Sequence, residues 1–80
     1  MLANTTQIRK IVRALNSNRV WYKNYTDQHK DRSLRRLCFM IEDTPKIAGE
    51  LEFILNLLGY SNKITVSKNG YLRVVAPLSA

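Results

Sequence analysis

The chain has 80 residues, of which 45% are hydrophobic and 24% are charged, and its formal net charge is +7. This composition is typical of a folded globular chain and excludes a disordered segment. Because so short a chain holds one hydrophobic core and not two, we expect a single small basic domain over residues 1–80.

The sequence also bears on the compartment. The longest apolar run, residues 37–41, has five residues, far fewer than the roughly 20 that cross a bilayer. The amino terminus lacks the basic start and apolar stretch of a secretory signal, and Cys38 is the only cysteine. We therefore predict an intracellular, cytoplasmic protein with no membrane partner.

The positive charge is concentrated in the amino-terminal half. Residues 1–40 hold nine basic and two acidic side chains, whereas residues 41–80 hold four of each. A concentrated positive field attracts polyanions. The distribution therefore favours nucleic acid or an acidic protein as the partner.

The first predicted element is a helix from a cap at Thr5 or Thr6 to about Leu15. Apolar residues recur in it at the i, i+3, i+4, i+7 spacing of one helical face. The opposite face is basic and consists of Arg9, Lys10 and Arg13. The helix thus offers one side to a core and the other to a partner.

Two segments follow that we interpret as a hairpin. Residues 19–25 are rich in aromatic and β-branched side chains and predict a strand, and residues 26–32 are a polar loop. Segment 33–42 fits two patterns, because its apolar residues alternate as in a strand but also match one face of a helix. We favour the strand, since a lone first strand would leave its backbone unpaired.

The second half repeats this order. Thr44 at the cap and Pro45 at the first position predict a helix that runs to about Leu58 and stops at Gly59. Residues 63–76 predict a hairpin that turns at residues 68–70. A two-residue turn would mix apolar and charged side chains on one face, whereas a three-residue loop with a left-handed glycine separates them. We predict the three-residue loop, with Val66 opposite Leu72 and Ile64 opposite Val74.

The predicted order is helix-strand-strand-helix-strand-strand. It indicates an α+β fold, a four-stranded antiparallel sheet with two helices packed on one face. The alternative is a winged helix-turn-helix in which segment 31–42 is helical, residues 63–76 form the wing and residues 45–58 form the recognition helix. That helix is apolar and acidic, a poor surface for a major groove.

Aromatic and basic residues interleave in the first predicted strand, and further basic residues lie in the first helix and along the rest of the hairpin. Aromatic rings stack on bases while cations follow phosphates, the combination used to bind single strands. Regular alternation places Trp21 and Tyr25 on one side with Lys23. We predict a nucleic-acid surface, DNA or RNA, made of Arg9, Lys10, Arg13, Arg19, Trp21, Lys23, Tyr25, Lys30, Arg32, Arg35, Arg36, Tyr71 and Arg73.

Protein binding is the alternative function. If alternate residues of segment 33–42 face the helices, an apolar group emerges on the open side of the sheet, and such patches mark protein interfaces. The chain would then be a small inhibitor or accessory factor, of the kind that viruses and mobile elements encode, docking onto an acidic protein or forming a homodimer. The predicted interface residues are Leu34, Cys38, Met40 and Val75.

The sequence predicts no active site, metal or cofactor. His29, the one histidine, has too few nitrogen or sulfur ligands around it for zinc. Cys38 lies between Leu37 and Phe39, which is typical of a buried hydrophobe and not of a nucleophile. The three glycines are isolated and form no phosphate-binding loop. We therefore expect a binding protein and not an enzyme.

Overall fold

A computed structural model describes residues 1–17 and 20–78. Its elements, in chain order, are α1 (Thr5–Leu15), β1 (Trp21–Gln28), β2 (Leu34–Ile41), α2 (Thr44–Leu57), β3 (Ile64–Val66) and β4 (Tyr71–Pro77). The predicted order and the α+β class are confirmed. Segment 33–42 forms a strand, so the winged helix-turn-helix alternative is wrong.

The four strands form one antiparallel sheet in the order β1-β2-β4-β3. The two central strands bury alternate side chains against the helices, and β1 and β3 are the edges. The residues of this core are Ala3, Ile8, Val12, Leu37, Phe39, Ile41, Ile47, Leu51, Leu55, Leu72, Val74 and Ala76. Along the described parts of the chain, no helix has the length and apolar character to cross a membrane.

Helix α1 is capped by Asn4, and the predicted cap at Thr5 or Thr6 is wrong. The Asn4 side chain accepts the backbone N–H of Gln7 at 2.9 Å, and the Gln7 side chain accepts the backbone N–H of Asn4 at 2.9 Å. This reciprocal pair satisfies two donors that a helix start leaves unpaired. Asparagine is also a stronger cap than threonine, which explains the earlier start.

Helix α2 begins at Thr44, so the prediction of Thr44 as its cap is also wrong. The cap position is Asp43, which has a left-handed backbone with φ of 55°. The Thr44 hydroxyl lies 2.8 Å from the Gly70 carbonyl oxygen and 3.1 Å from that of Ile41, and it thereby ties the second hairpin to the end of β2. The helix ends at Leu57, and Gly59 follows with φ of 85°, as predicted for a glycine stop.

The second hairpin has the predicted register. Val66 pairs with Leu72 and Ile64 pairs with Val74, and Gly70 adopts a φ of 85°. Leu72 and Val74 face the core, while Tyr71 and Arg73 project from the open face of the sheet. The three-residue loop is therefore confirmed.

Candidate nucleic-acid interface

A β-bulge in β1 decides where its aromatic side chains point. Trp21 pairs with Ile41 and Lys23 pairs with Met40, so the register shifts between them and Tyr22 is the extra residue. Trp21 consequently lies on the helix side, with its ring centroid 6.0 Å from that of Phe39. The prediction that Trp21 shares a face with Lys23 and Tyr25 is wrong, because regular alternation does not continue across a bulge.

Helix α1 and strand β1 enclose a cleft on this side of the sheet, which we call the α1–β1 cleft. Its volume is about 290 Å³. Among the described residues that line it, none is acidic. They are Arg9, Arg13, Trp21, Tyr22, Lys23 and Asn24.

The two arginines reach the cleft because they stand one helical turn apart, beside the apolar face of α1. Ile8 and Val12 are fully buried, and the next residue in each case is an arginine that projects past the edge of the core. The Arg9 Nη2 donates to Thr26 Oγ1 of β1 at 2.8 Å. This hydrogen bond holds one guanidinium along the edge strand.

The basic face of α1 continues beyond the cleft. A shallow groove of about 170 Å³ runs over the helix and shares both arginines with the cleft. Lys10 and Thr6 form the rest of its lining. Three of the predicted nucleic-acid residues, Arg9, Lys10 and Arg13, therefore lie together on one surface.

The aromatic side chains of the cleft remain accessible. Trp21 is 38% exposed although it packs on Phe39, and Tyr22 is 63% exposed. Tyr22 and Asn24 are not among the residues predicted from the sequence, because regular alternation places Tyr22 away from Trp21. The bulge brings the side chains of Trp21 and Tyr22 to the cleft. No residue type at or beside Tyr22 predicts a bulge from the sequence.

Lys23 also lines the α1–β1 cleft, but the predicted cations of the hairpin loop and of β2 do not join this surface. Arg36 and Arg35 point to opposite faces of β2, since they pair with Val75 and Ala76 respectively. The Arg36 Nη2 lies 3.0 Å from Asp27 Oδ2. Arg32 and Arg35 border a separate depression at the end of the first hairpin. Arg19 lies outside the described residues.

The tyrosines of the open face are partly covered. The rings of Tyr25 and Tyr71 meet edge to face, with centroids 5.7 Å apart, and the Lys23 ammonium lies 5.1 Å from the centre of the Tyr25 ring. Partial burial, together with the neighbouring Cys38 and Tyr71, raises the pKa of Tyr25. Tyr25 therefore offers less free ring surface than Tyr22, which is 63% exposed.

The predicted protein-interface residues lie on the open face but do not form an exposed apolar patch there. Cys38 is fully buried, and Leu34, Met40 and Val75 are half-buried. The register places Cys38 between Tyr25 and Arg73, whose longer side chains flank its short one. The prediction of an exposed patch is therefore wrong for Cys38.

Large exposed apolar side chains occur instead at the carboxyl end of α2. Phe53 is 68% exposed, Leu57 is 75% exposed and Leu58, just after the helix, is 59% exposed. None of these three residues lines the α1–β1 cleft.

A fold does not by itself specify a function, so the role of the α1–β1 cleft follows from the residues that line it. No protein-family model matches the chain, and comparisons with curated proteins and with solved structures give no significant match.

Proposed function

We propose that the chain binds single-stranded nucleic acid in the α1–β1 cleft. Arg9 and Arg13 contact phosphates, and Trp21 and Tyr22 stack on a base. The observation that carries the proposal is the lining of the cleft, in which two helix arginines meet two exposed strand aromatics and the described lining residues include no carboxylate.

The charge of the arginines supports this role. Arg9 donates to a neutral hydroxyl, and neither Arg9 nor Arg13 forms an ion pair with a carboxylate of the described residues. A guanidinium binds phosphate through charge-assisted hydrogen bonds. Its contact with a nucleic-acid strand also releases the counterions that surround the phosphates. The cations of the cleft therefore retain their charge for a polyanion.

The aromatic residues support a single strand over a duplex. Trp21 packs against Phe39 and is still 38% exposed, and Tyr22 is 63% exposed, so both rings have surface on which a base can stack. Stacking of one base on an aromatic ring contributes about 1–3 kcal/mol and tolerates any base. A cleft of about 290 Å³ suits one unpaired base.

The experiment that tests the proposal uses the fluorescence of Trp21, the only tryptophan in the chain. Titration with single-stranded oligothymidylate should quench this fluorescence to saturation. We expect the log of the binding constant to fall with log salt, with a slope of about −0.7 for each phosphate contacted. Tyr22→Ala should weaken binding by roughly 5- to 100-fold, since it removes one stacking ring.

Phe53→Ala is the matched control, because Phe53 is exposed to a similar extent but lies outside the cleft. It should leave the affinity unchanged. A folded protein whose Trp21 emission does not respond to the oligonucleotide at low salt would contradict the proposal.

Protein binding is the second candidate function. The exposed side chains of Phe53, Leu57 and Leu58 favour it, because grouped apolar surface in a small protein marks an interface. It predicts that Phe53→Asp abolishes a complex, measured by light scattering of the protein with its partner or with itself, while Trp21 emission stays unresponsive to nucleic acid. We further propose, as the sequence predicts, that the chain acts in the cytoplasm, without catalysis or a cofactor.

A further inference from the structure

The face of the sheet opposite the helices carries a second basic depression, which we call the open-face pocket. Its volume is about 390 Å³. It lies across the sheet from the α1–β1 cleft and shares none of that cleft's lining residues. The polar residues that line it are His29, Lys30, Arg36, Lys63, Thr65 and Arg73.

The strand register brings these side chains together. Arg73 of β4 lies between Cys38 of β2 and Thr65 of β3, all on the open face. The carbonyl of Lys63 accepts the backbone N–H of Val75 at 3.0 Å, which extends the pairing of the last two strands. Because alternate residues of a strand share a face, Lys63 lies beside Thr65 and completes the row.

The turn of the first hairpin supplies the remaining wall. The Asp31 carboxylate accepts the backbone N–H of Ser33 at 2.9 Å and its hydroxyl at 2.7 Å, and these hydrogen bonds lower the pKa of Asp31. The His29 Nδ1 accepts the backbone N–H of Asp31 at 3.1 Å. The turn is thus fixed internally, and it holds Lys30 at the edge of the pocket.

The arginines of the pocket have unused hydrogen-bonding capacity. Arg36 is paired with Asp27 through Nη2 at 3.0 Å. The Nε atoms of Arg36 and Arg73 are buried, and neither has a hydrogen-bond partner among the described residues. A buried donor without a partner is costly, more so when it is charged. Neither Nε is accessible in this arrangement, so an anion between the two guanidinium groups would pair with them after a shift of the arginine side chains.

We propose that the open-face pocket binds a phosphate group. Arg36 and Arg73 hold its oxygens, Thr65 donates a hydrogen bond, and Lys30 and Lys63 add positive charge. Guanidinium groups match the geometry of phosphate oxygens. The volume is far above the roughly 30 Å³ that one water occupies and is within the range of about 300–1,000 Å³ of ligand pockets. A phosphate carried by a larger molecule therefore fits.

The phosphate group that binds here would belong either to a free phosphorylated small molecule or to the backbone of a nucleic-acid strand. Binding in the open-face pocket is independent of the α1–β1 cleft, because the two sites are on opposite faces of the sheet. Backbone amide shifts of the isotope-labelled protein are measured during separate titrations with inorganic phosphate, adenosine monophosphate and oligothymidylate. A parallel titration with sodium chloride at the same ionic strength measures the amide shifts that charge screening alone causes.

We expect saturable shifts at Lys30, Arg36, Lys63 and Arg73 with at least one of these probes. Arg73→Gln should weaken them at least tenfold, Arg73→Lys should weaken them less because it keeps the charge, and Lys46→Gln on the helix side should leave them unchanged. Stronger binding of adenosine monophosphate than of inorganic phosphate identifies a nucleotide. Amide shifts with oligothymidylate but with neither of the other probes identify the backbone of a nucleic-acid strand as the ligand.

Two results would overturn the inference. One is that no probe shifts the pocket amides beyond the sodium chloride control. The other is that Arg73→Gln, folded as judged by its spectrum, responds as the unchanged chain does. Trp21 fluorescence distinguishes failure here from failure of the proposed function, since Trp21 lines the cleft and not the pocket.

Discussion

Replacement of Arg9 and Arg13 together by glutamine is expected to weaken the binding of single-stranded oligothymidylate by roughly 10- to 100-fold. A hydrogen bond to a charged group contributes about 1.5–3 kcal/mol, and each factor of ten in affinity corresponds to about 1.4 kcal/mol. Because both arginines are exposed, we expect the two together to contribute about as much as one such hydrogen bond. The slope of log affinity against log salt should also become less steep, by about 0.7 for each arginine that contacts a phosphate of a single strand.

The matched control removes the same charge elsewhere. Lys46 and Lys68 are exposed, and neither lines the α1–β1 cleft or the open-face pocket. Lys46→Gln with Lys68→Gln should therefore reduce the affinity only slightly, through the lower net charge. Equal losses in the two double variants would show that net charge, and not the cleft, accounts for binding.

Replacement of Phe39 by alanine is expected to have the largest effect on stability. Phe39 is fully buried on the central strand β2, and loss of a buried phenylalanine costs about 3–5 kcal/mol because it leaves a cavity. A domain of this size has a free energy of unfolding of only about 4–12 kcal/mol. Urea denaturation followed by circular dichroism measures the loss.

The same substitution also affects the α1–β1 cleft, because the ring of Trp21 packs against Phe39. We expect the Trp21 emission of the folded variant to shift to longer wavelength as the indole becomes more exposed. Phe53→Ala provides the comparison, since Phe53 is 68% exposed and surface substitutions change stability by only about 0.5 kcal/mol. A loss below about 1 kcal/mol for Phe39→Ala would contradict the central position of Phe39.

The elements that could be predicted from the sequence are those specified by local signals. Gly59 ends α2, and Gly70 sets the loop of the second hairpin, because each adopts a positive φ that other residues avoid. The strand at Leu34–Ile41 followed from the need of β1 for a hydrogen-bonded neighbour. In each case a residue type or a backbone requirement favoured the structure that forms over its alternative.

The site was less predictable, because its geometry depends on pairing between strands. The bulge at Tyr22 arises from the register of β1 on β2, and it reverses the face of Trp21. Lys63 and Thr65 join the open-face pocket only through the β3–β4 register. Arg35 and Arg36 are different, since neighbouring residues of a regular strand point to opposite faces, so the sequence itself argued against a shared surface.

Backbone amide shifts during titration with single-stranded oligothymidylate are the direct measurement of binding in the α1–β1 cleft. We expect the largest shifts at low ligand concentration in residues 9–13 of α1 and residues 21–24 of β1. Shifts confined to α2 and β3, with the amides of the α1–β1 cleft unmoved, would contradict binding in this cleft.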